Sequence, residues 1–276
     1  MTPADAAARL TGTPASGVRR LAGAVWQADL AHGGRVVVKR HDDPAAALAE
    51  AASLEWLAEP GGPPVPRVRG HDGHWLCVDH VEPGRPSPGA AEEFGRALAR
   101  LHAAGAPAFG APPPGGPADA SIGLAPMRNA PSPAWPDWFH EHRVTRYARL
   151  AADAGALTAD EAAVFDRVRV EAPGEPPARL HGDLWSGNVH WAADGRAWLI
   201  DPAAHGGHRE TDLAMLDLFG CPHLDRVLAA YHEVSPLAPG RRERVPLHQL
   251  FPLLVHAVLF GRDYALRALA VARALT

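Results

Sequence analysis

Between residues 16 and 40 three runs, V-R-R-L, A-V-W-Q-A-D-L and R-V-V-V-K-R, are separated by turn residues that include His32-Gly33-Gly34, and they predict an antiparallel meander. In the last run Val36 and Val38 face one way and Val37 and Lys39 the other, which lets Lys39 reach into a cleft. Asp43 is placed to cap a helix with Pro44 at its first position, running through A-A-A-L-A-E-A-A-S-L-E-W-L-A. On a helical projection Glu50 falls between Leu54 and Leu57 on the face that packs inward, and Glu55 points nearly opposite. Glu50 is therefore the carboxylate that needs a cation, and Lys39 is the candidate.

Gly-Gly-Pro-Pro-Val-Pro at 61–66 ends that helix, and W-L-C-V-D-H-V at 75–81 predicts another strand. The run E-P-G-R-P-S-P-G that follows has the composition of a hinge, so a boundary is expected between 1–82 and 83–276. Beyond it the spacing predicts mostly helices. Phe94, Ala97, Leu98 and Leu101 share one face of a helix over 90–103, with His102 at its border as a core-bordering histidine. A Pro/Gly-rich loop covers 105–117, Trp135–Leu150 becomes helical, and a second helix is expected from Ala159 to Val170. Helices are also expected at 224–234 and 246–274, the latter interrupted by Pro252 and Gly261.

With 276 residues, 47% of them hydrophobic, the chain has material for one large domain or two modest ones. A formal net charge of -4 gives no electrostatic reason to expect nucleic acid or an acidic membrane as partner. Arg241, Arg242 and Arg244 form the densest basic cluster and read as a solvated loop. No apolar run approaches the roughly 18 residues of a spanning helix, and the start, M-T-P-A-D-A-A-A-R-L, has no basic flank leading into an apolar core. A soluble cytoplasmic protein is expected, with Cys77 and Cys221 reduced. His71, His74, Cys77 and His80 recur every three residues, a period that scatters them over both faces of a strand and argues against zinc.

The chemistry concentrates in Arg179–Pro202, R-L-H-G-D-L-W-S-G-N-V-H-W-A-A-D-G-R-A-W-L-I-D-P. Asp183 is a carboxylate able to accept a hydroxyl proton, Asn188 follows at D-x-x-x-x-N spacing, and Asp201 ends a short apolar strand. A hairpin through Ala193-Asp194-Gly195 would bring Arg196–Ile200, and with it Asp201, back to the loop. Carboxylate and amide oxygens suit magnesium, and phosphoryl transfer needs mainly such positioning and charge stabilisation. Downstream, Asp212 falls on an apolar helical face with Met215, Leu216 and Phe219, where an unpaired carboxylate is costly. Backbone amides near His181 are its expected donors, in a bracing role.

The stretches L-H-G-D-L-W-S-G-N, I-D-P-A, R-E-T-D-L-A-M and L-F-G, with E-A-A-S-L-E-W-L, L-A-R-L-H, the I-G and later Asn of 122–129, D-W-F-x-E-x-R and H-x-x-L-F-G, resemble the fructosamine kinase (ketosamine kinase) family over nearly the whole chain. The resemblance implies an α+β, two-lobed protein-kinase-like fold, with a small antiparallel-sheet lobe that binds nucleotide and a larger, mainly helical lobe for catalysis and substrate. It implies ATP-dependent phosphorylation of the 3-hydroxyl of a small or protein-bound glycated amine by a monomer. Asp183 would be the general base, Asn188 and Asp201 would hold Mg2+, Lys39 oriented by Glu50 would contact phosphate beneath the loop at Gly23, and Trp185 and His256 would border the sugar-amine pocket. The chain departs from the pattern in a glycine-poor L-A-G-A-V-W loop, in His208 where an acidic residue is expected, and in Val255 before His256. A kinase for another small hydroxylated molecule, such as an aminoglycoside, choline or homoserine, and an inactive nucleotide-binding protein are the competing readings.

Overall fold

The computed structural model describes all residues from Met1 to Thr276. It begins with helix α1 (Pro3–Thr11), started by a reciprocal capping box between Thr2 and Asp5 and unforeseen in the sequence reading. The meander follows as β1 (Ala15–Ala22), β2 (Val25–Leu30) and β3 (Arg35–Arg40). After α2 (Pro44–Leu57) come β4 (Val68–His71) and β5 (Trp75–Asp79), completing an antiparallel sheet of order β1-β2-β3-β5-β4. Strand β4 is four residues long and pairs through an irregularity at Val68/Gly70, too short to show a period in sequence.

The alternation read in β3 sets the layers. Val36 and Val38 are buried with Ala6, Ala7 and Trp75 under α1, while Val37 packs with Leu54 and Val78 on the side of α2. Lys39 shares that second side, so its ammonium meets the inward carboxylate of Glu50, as the helical projection required. The four residues considered for zinc sit on or beside β4 and β5 without forming a ligand group; Cys77 is a buried free thiol.

The linker after β5 is pinned by its backbone to the hairpin of Val189–Trp191 and Ala197–Leu199: Gly84 N–H donates to the Trp191 carbonyl at 2.8 Å, and Ala193 N–H to the Glu82 carbonyl at 2.9 Å. A Cβ on Gly84 would lie 2.3 Å from the Ala192 carbonyl oxygen, so only glycine permits this approach. Helix α3 (Pro88–Ala103) then packs against α8 (Leu224–Val234). A short hairpin, β6 (Asp119–Ile122) and β7 (Ala125–Arg128), lies where only a loop and a small motif were legible.

Helix α4 (Trp135–Phe139) passes through a π-helical turn, His140–Thr145, into α5 (Arg146–Asp153). The helix expected over 159–170 is not formed: α6 (Ala159–Ala162) stops after four residues and only a 3-10 turn, Phe165–Arg167, follows. Burial of Phe165 and Val168 in the C-terminal core ties the chain down more strongly than its helical period. The closing segment is two helices, α9 (Arg241–Phe260) and α10 (Arg262–Ala274), broken at Gly261 but not at Pro252. Pro252 costs α9 one backbone hydrogen bond, yet Leu250, Phe251, Leu253 and Leu254 around it are all buried, and packing carries the helix through.

The arginine cluster is not a solvated loop. Arg241, Arg242 and Arg244 open α9, and Arg244 forks onto both oxygens of buried Glu210 at 2.6 and 2.9 Å in α7 (Glu210–Leu218). Glu175 likewise receives both Nε and Nη2 of Arg209 at 2.7 Å. These forks fix the start of α7, the helix that presents Asp212.

Candidate active site

Strand β8 (Ala178–Leu180), paired with β11 (His205–Gly207), delivers the chain to His181-Gly182-Asp183. Gly182 has φ +82°, and a Cβ there would lie 2.0 Å from the Ala203 carbonyl oxygen, so glycine is required at this bend. Asp212, 1% exposed, accepts from the backbone N–H of His181 at 2.7 Å and of Gly182 at 3.0 Å. His102 Nε2 lies 3.3 Å from the same carboxylate, and its Nδ1 lies 2.8 Å from the Tyr231 hydroxyl. His102 is therefore a buried partner of Asp212, not a residue bordering the core. Burial alone would raise the Asp212 pKa, but hydrogen bonding and charge from His102, with His181 beyond it, leave it below the ordinary value. The His181 ring is held neutral by burial: Nε2 donates to the Ile200 carbonyl at 3.0 Å and Nδ1 accepts from the Asp183 N–H at 3.3 Å.

Asp183 sits between this braced loop and a 3-10 turn, Ser186–Asn188. Asn188 Nδ2 donates to the Asp183 carbonyl at 2.8 Å and to its carboxylate at 3.1 Å. With the nitrogen committed, the Asn188 amide oxygen is the end left for a cation. Burial is the main cause that pushes the Asp183 carboxyl up to about 7, with the charges of Asp201 and Asp212 adding to it against the Asn188 hydrogen bond. A carboxyl tuned near neutrality suits proton transfer at physiological pH.

The hairpin β9 (Val189–Trp191) and β10 (Ala197–Leu199) returns the chain as anticipated, and Ile200 N–H donates to the Asn188 carbonyl at 3.1 Å. Asp201 then adopts φ +53°, a left-handed conformation that costs a non-glycine residue about 1 kcal/mol or more. That backbone turns its carboxylate to the ammonium of Lys39, which also holds Glu50. Burial would lower the Lys39 pKa, but Glu50 and Asp201 together raise it, so the ammonium stays charged. His41 Nε2 lies 3.3 Å from the Glu50 carboxylate.

Two cavities meet at Lys39 and Asp201. One, of about 420 Å3, has apolar walls from Leu21, Val25, Val37, Leu54, Val78 and Ile200, and the linker borders it through Val81 and Pro83. The other, of about 360 Å3, contains Asp183, Asn188 and Trp185. A hard divalent cation fits the half-exposed Asp201 carboxylate and the amide oxygen of Asn188.

The remaining predicted residues are placed less directly. Gly23 is in the β1–β2 turn at φ +42°, and its neighbours Ala24 and Val25 are the ones lining the cavities. Trp185, 39% exposed, lines the Asp183 cavity and meets Phe219 edge-on, with centroids 6.2 Å apart. His256 does not line that cavity; it lies 4.7 Å from Phe219, at the far end of the same aromatic row. His208, Glu210 and His248 bring ligand atoms within 4.8 Å of one another, but Arg244 already occupies both Glu210 oxygens. Sequence reasoning missed Asn129 on the Asp183 cavity and the His102–Tyr231 support; their only signals were the I-G…N and L-A-R-L-H motifs.

The fructosamine kinase family matches residues 23–275. A probable ketoamine kinase of Synechocystis sp. is 36% identical over 226 residues, covering 80% of this chain and 75% of the relative. The chloroplastic protein-ribulosamine 3-kinase of Arabidopsis thaliana is 31% identical over 209 residues, covering 72% and 61%. A crystal structure named "putative fructosamine-3-kinase" from Thermobifida fusca superposes with a TM-score of 0.87 at 47% identity, covering 99% of this chain and 97% of that one. An apo macrolide 2'-phosphotransferase of Brachybacterium faecium, at 18% identity and a TM-score of 0.60 over 98% and 96% of the two chains, shares the protein-kinase-like fold.

Proposed function

The chain belongs to the fructosamine kinase family and is a kinase, and from that premise we propose that it transfers the γ-phosphoryl of ATP to the 3-hydroxyl of a ketosamine. The observation that carries this reading is the meeting of Lys39, Asp201, Asn188 and Asp183 where the apolar slot opens into the second cavity. The purine would occupy the slot, Lys39 would hold phosphate oxygens with Glu50 keeping it in place, and Asn188 and Asp201 would hold magnesium. Bound magnesium supplies neutralisation of the charge that develops on the phosphates. Asp183 takes the proton of the sugar hydroxyl as its oxygen bonds to the γ-phosphorus and the bond to ADP breaks. Asp212 and His102 keep the loop amides fixed during that step.

The names of the relatives support a ketosamine of the fructosamine or ribulosamine kind as acceptor. Phosphorylation at that hydroxyl destabilises the sugar-amine adduct and frees the amine, a deglycation step. We place it in the cytoplasm, in keeping with two unpaired cysteines, and as a monomer. No helix is long and apolar enough to cross a membrane. The test is turnover of ribulose-lysine and fructose-lysine with ATP and magnesium, with the phosphorylated position assigned by mass spectrometry and NMR. Turnover of choline or an aminoglycoside in their place would overturn the substrate assignment.

A further inference from the structure

Asn129 follows strand β7, is 2% exposed, and lines the cavity that holds Asp183. Its amide is only half satisfied. Oδ1 lies 3.5 Å from Nη2 of Arg143, whereas Nδ2 has no hydrogen-bond partner. The orientation follows from chemistry: a guanidinium only donates, so the amide oxygen must face Arg143 and the NH2 group must face away.

Arg143 is in turn immobilised. It is 1% exposed, donates to the carbonyls of Arg128 at 3.2 Å and His142 at 3.3 Å, and lies over the rings of Trp138 and Phe251 at 4.5 and 5.1 Å. No carboxylate pairs with it, so it is a buried cation held by carbonyls and aromatic faces. It belongs to the π-helical turn His140–Thr145, a local irregularity of the kind that recurs at functional sites. A buried NH2 without an acceptor costs about 1–3 kcal/mol. On the wall of a cavity, a ligand or an ordered water can supply that acceptor.

We infer that Asn129 recognises the acceptor substrate, its Nδ2 donating to a sugar oxygen, with Arg143 as the positioning residue that fixes the amide. The inference rests on the sugar-kinase reading above and adds to it a residue for the oxygen-rich end of the substrate. An amide NH2 pairs with a hydroxyl, ring or carbonyl oxygen, and it repels an ammonium. The amine end of a ketosamine therefore lies away from Asn129.

Asn129→Asp and Asn129→Leu test this. The aspartate gives Arg143 an ion-pair partner, so its melting temperature should equal or exceed that of the wild type, while both donors are lost. Both variants should raise the KM for the ketosamine by about tenfold or more, with the KM for ATP within about twofold of the wild type. A folded Asn129→Asp protein with an unchanged acceptor KM overturns the assignment. For the positioning role, Arg143→Met should raise the acceptor KM and Arg143→Lys, which keeps a donor toward Oδ1, should restore most of it; equal losses in the two would reduce Arg143 to a structural residue. If the wild type uses a different hydroxylated acceptor, the ketosamine reading fails on its own, and the same KM ratio on that acceptor still decides Asn129.

Discussion

Asn188 Nδ2 donates to the Asp183 carboxylate at 3.1 Å, so the residue proposed to hold magnesium also aims the residue proposed to take the proton. The amide has one oxygen and one nitrogen, and the nitrogen is spent on Asp183. Base orientation and metal binding are thereby coupled through a single side chain.

Asp183→Asn keeps this contact geometry but cannot accept the hydroxyl proton. Turnover should fall by about 10²-fold or more while Mg-ATP still binds. Steady-state kinetics beside calorimetry separate the two quantities, and an equally active variant would remove Asp183 from the proton-transfer step.

Asp201→Ala removes the half-exposed carboxylate that faces Lys39. Magnesium-dependent nucleotide affinity should be lost. Undiminished Mg-ATP affinity by calorimetry would overturn the metal assignment.

Asp212→Asn replaces one of two acceptor oxygens with an NH2 that must face a backbone N–H of His181 or Gly182. The melting temperature should drop and turnover should fall by about tenfold, less than for Asp183→Asn, with nucleotide affinity within about threefold. A loss of turnover as deep as that of Asp183→Asn, in a protein that melts like the wild type, would give Asp212 a direct part in the chemistry.

Acid should destabilise the fold at pH values above the ordinary carboxylate range. Burial is the leading cause that lowers the pKa values of His181, His205, His208 and His248, to about 3 for His205 and about 4 for His208. Above the ordinary histidine value of 6.5 both folded and unfolded chains are neutral at these sites. As pH falls below it, the unfolded chain takes up protons that the folded chain refuses, and each fully titrating group costs about 1.4 kcal/mol per pH unit. Asp183, raised to about 7, works in the opposite direction but is one group against four. The melting temperature should therefore fall steadily from pH 7 to pH 5, and a flat profile over that range would contradict the burial argument.

Much of the fold was legible because the period and the chemistry agreed. Val36/Val38 against Val37/Lys39, and Glu50 between Leu54 and Leu57, are local patterns, and the structure pairs Lys39 with Glu50. The hairpin that returns Asp201 to the loop was equally local. What stayed hidden depends on contacts distant in sequence. Nothing near His102 announces Tyr231 or Asp212, each more than a hundred residues away, and Arg244 looked solvated until Glu210 supplied its partner. The short hairpin that precedes Asn129 and the truncated α6 are set by packing rather than by period. Pro252 was misread for the same reason, since its neighbours' burial outweighs one missing hydrogen bond.

The central claim is that this chain phosphorylates the 3-hydroxyl of a ketosamine with ATP. Its most direct test is magnesium-dependent ADP release with ribulose-lysine and fructose-lysine beside aminoglycosides and choline, with each product's phosphorylated position assigned by mass spectrometry and NMR. The account predicts turnover of the ketosamines alone, with the new phosphate on the 3-hydroxyl. Turnover confined to another acceptor, or tight Mg-ATP binding with no phosphorylated product at all, would contradict it.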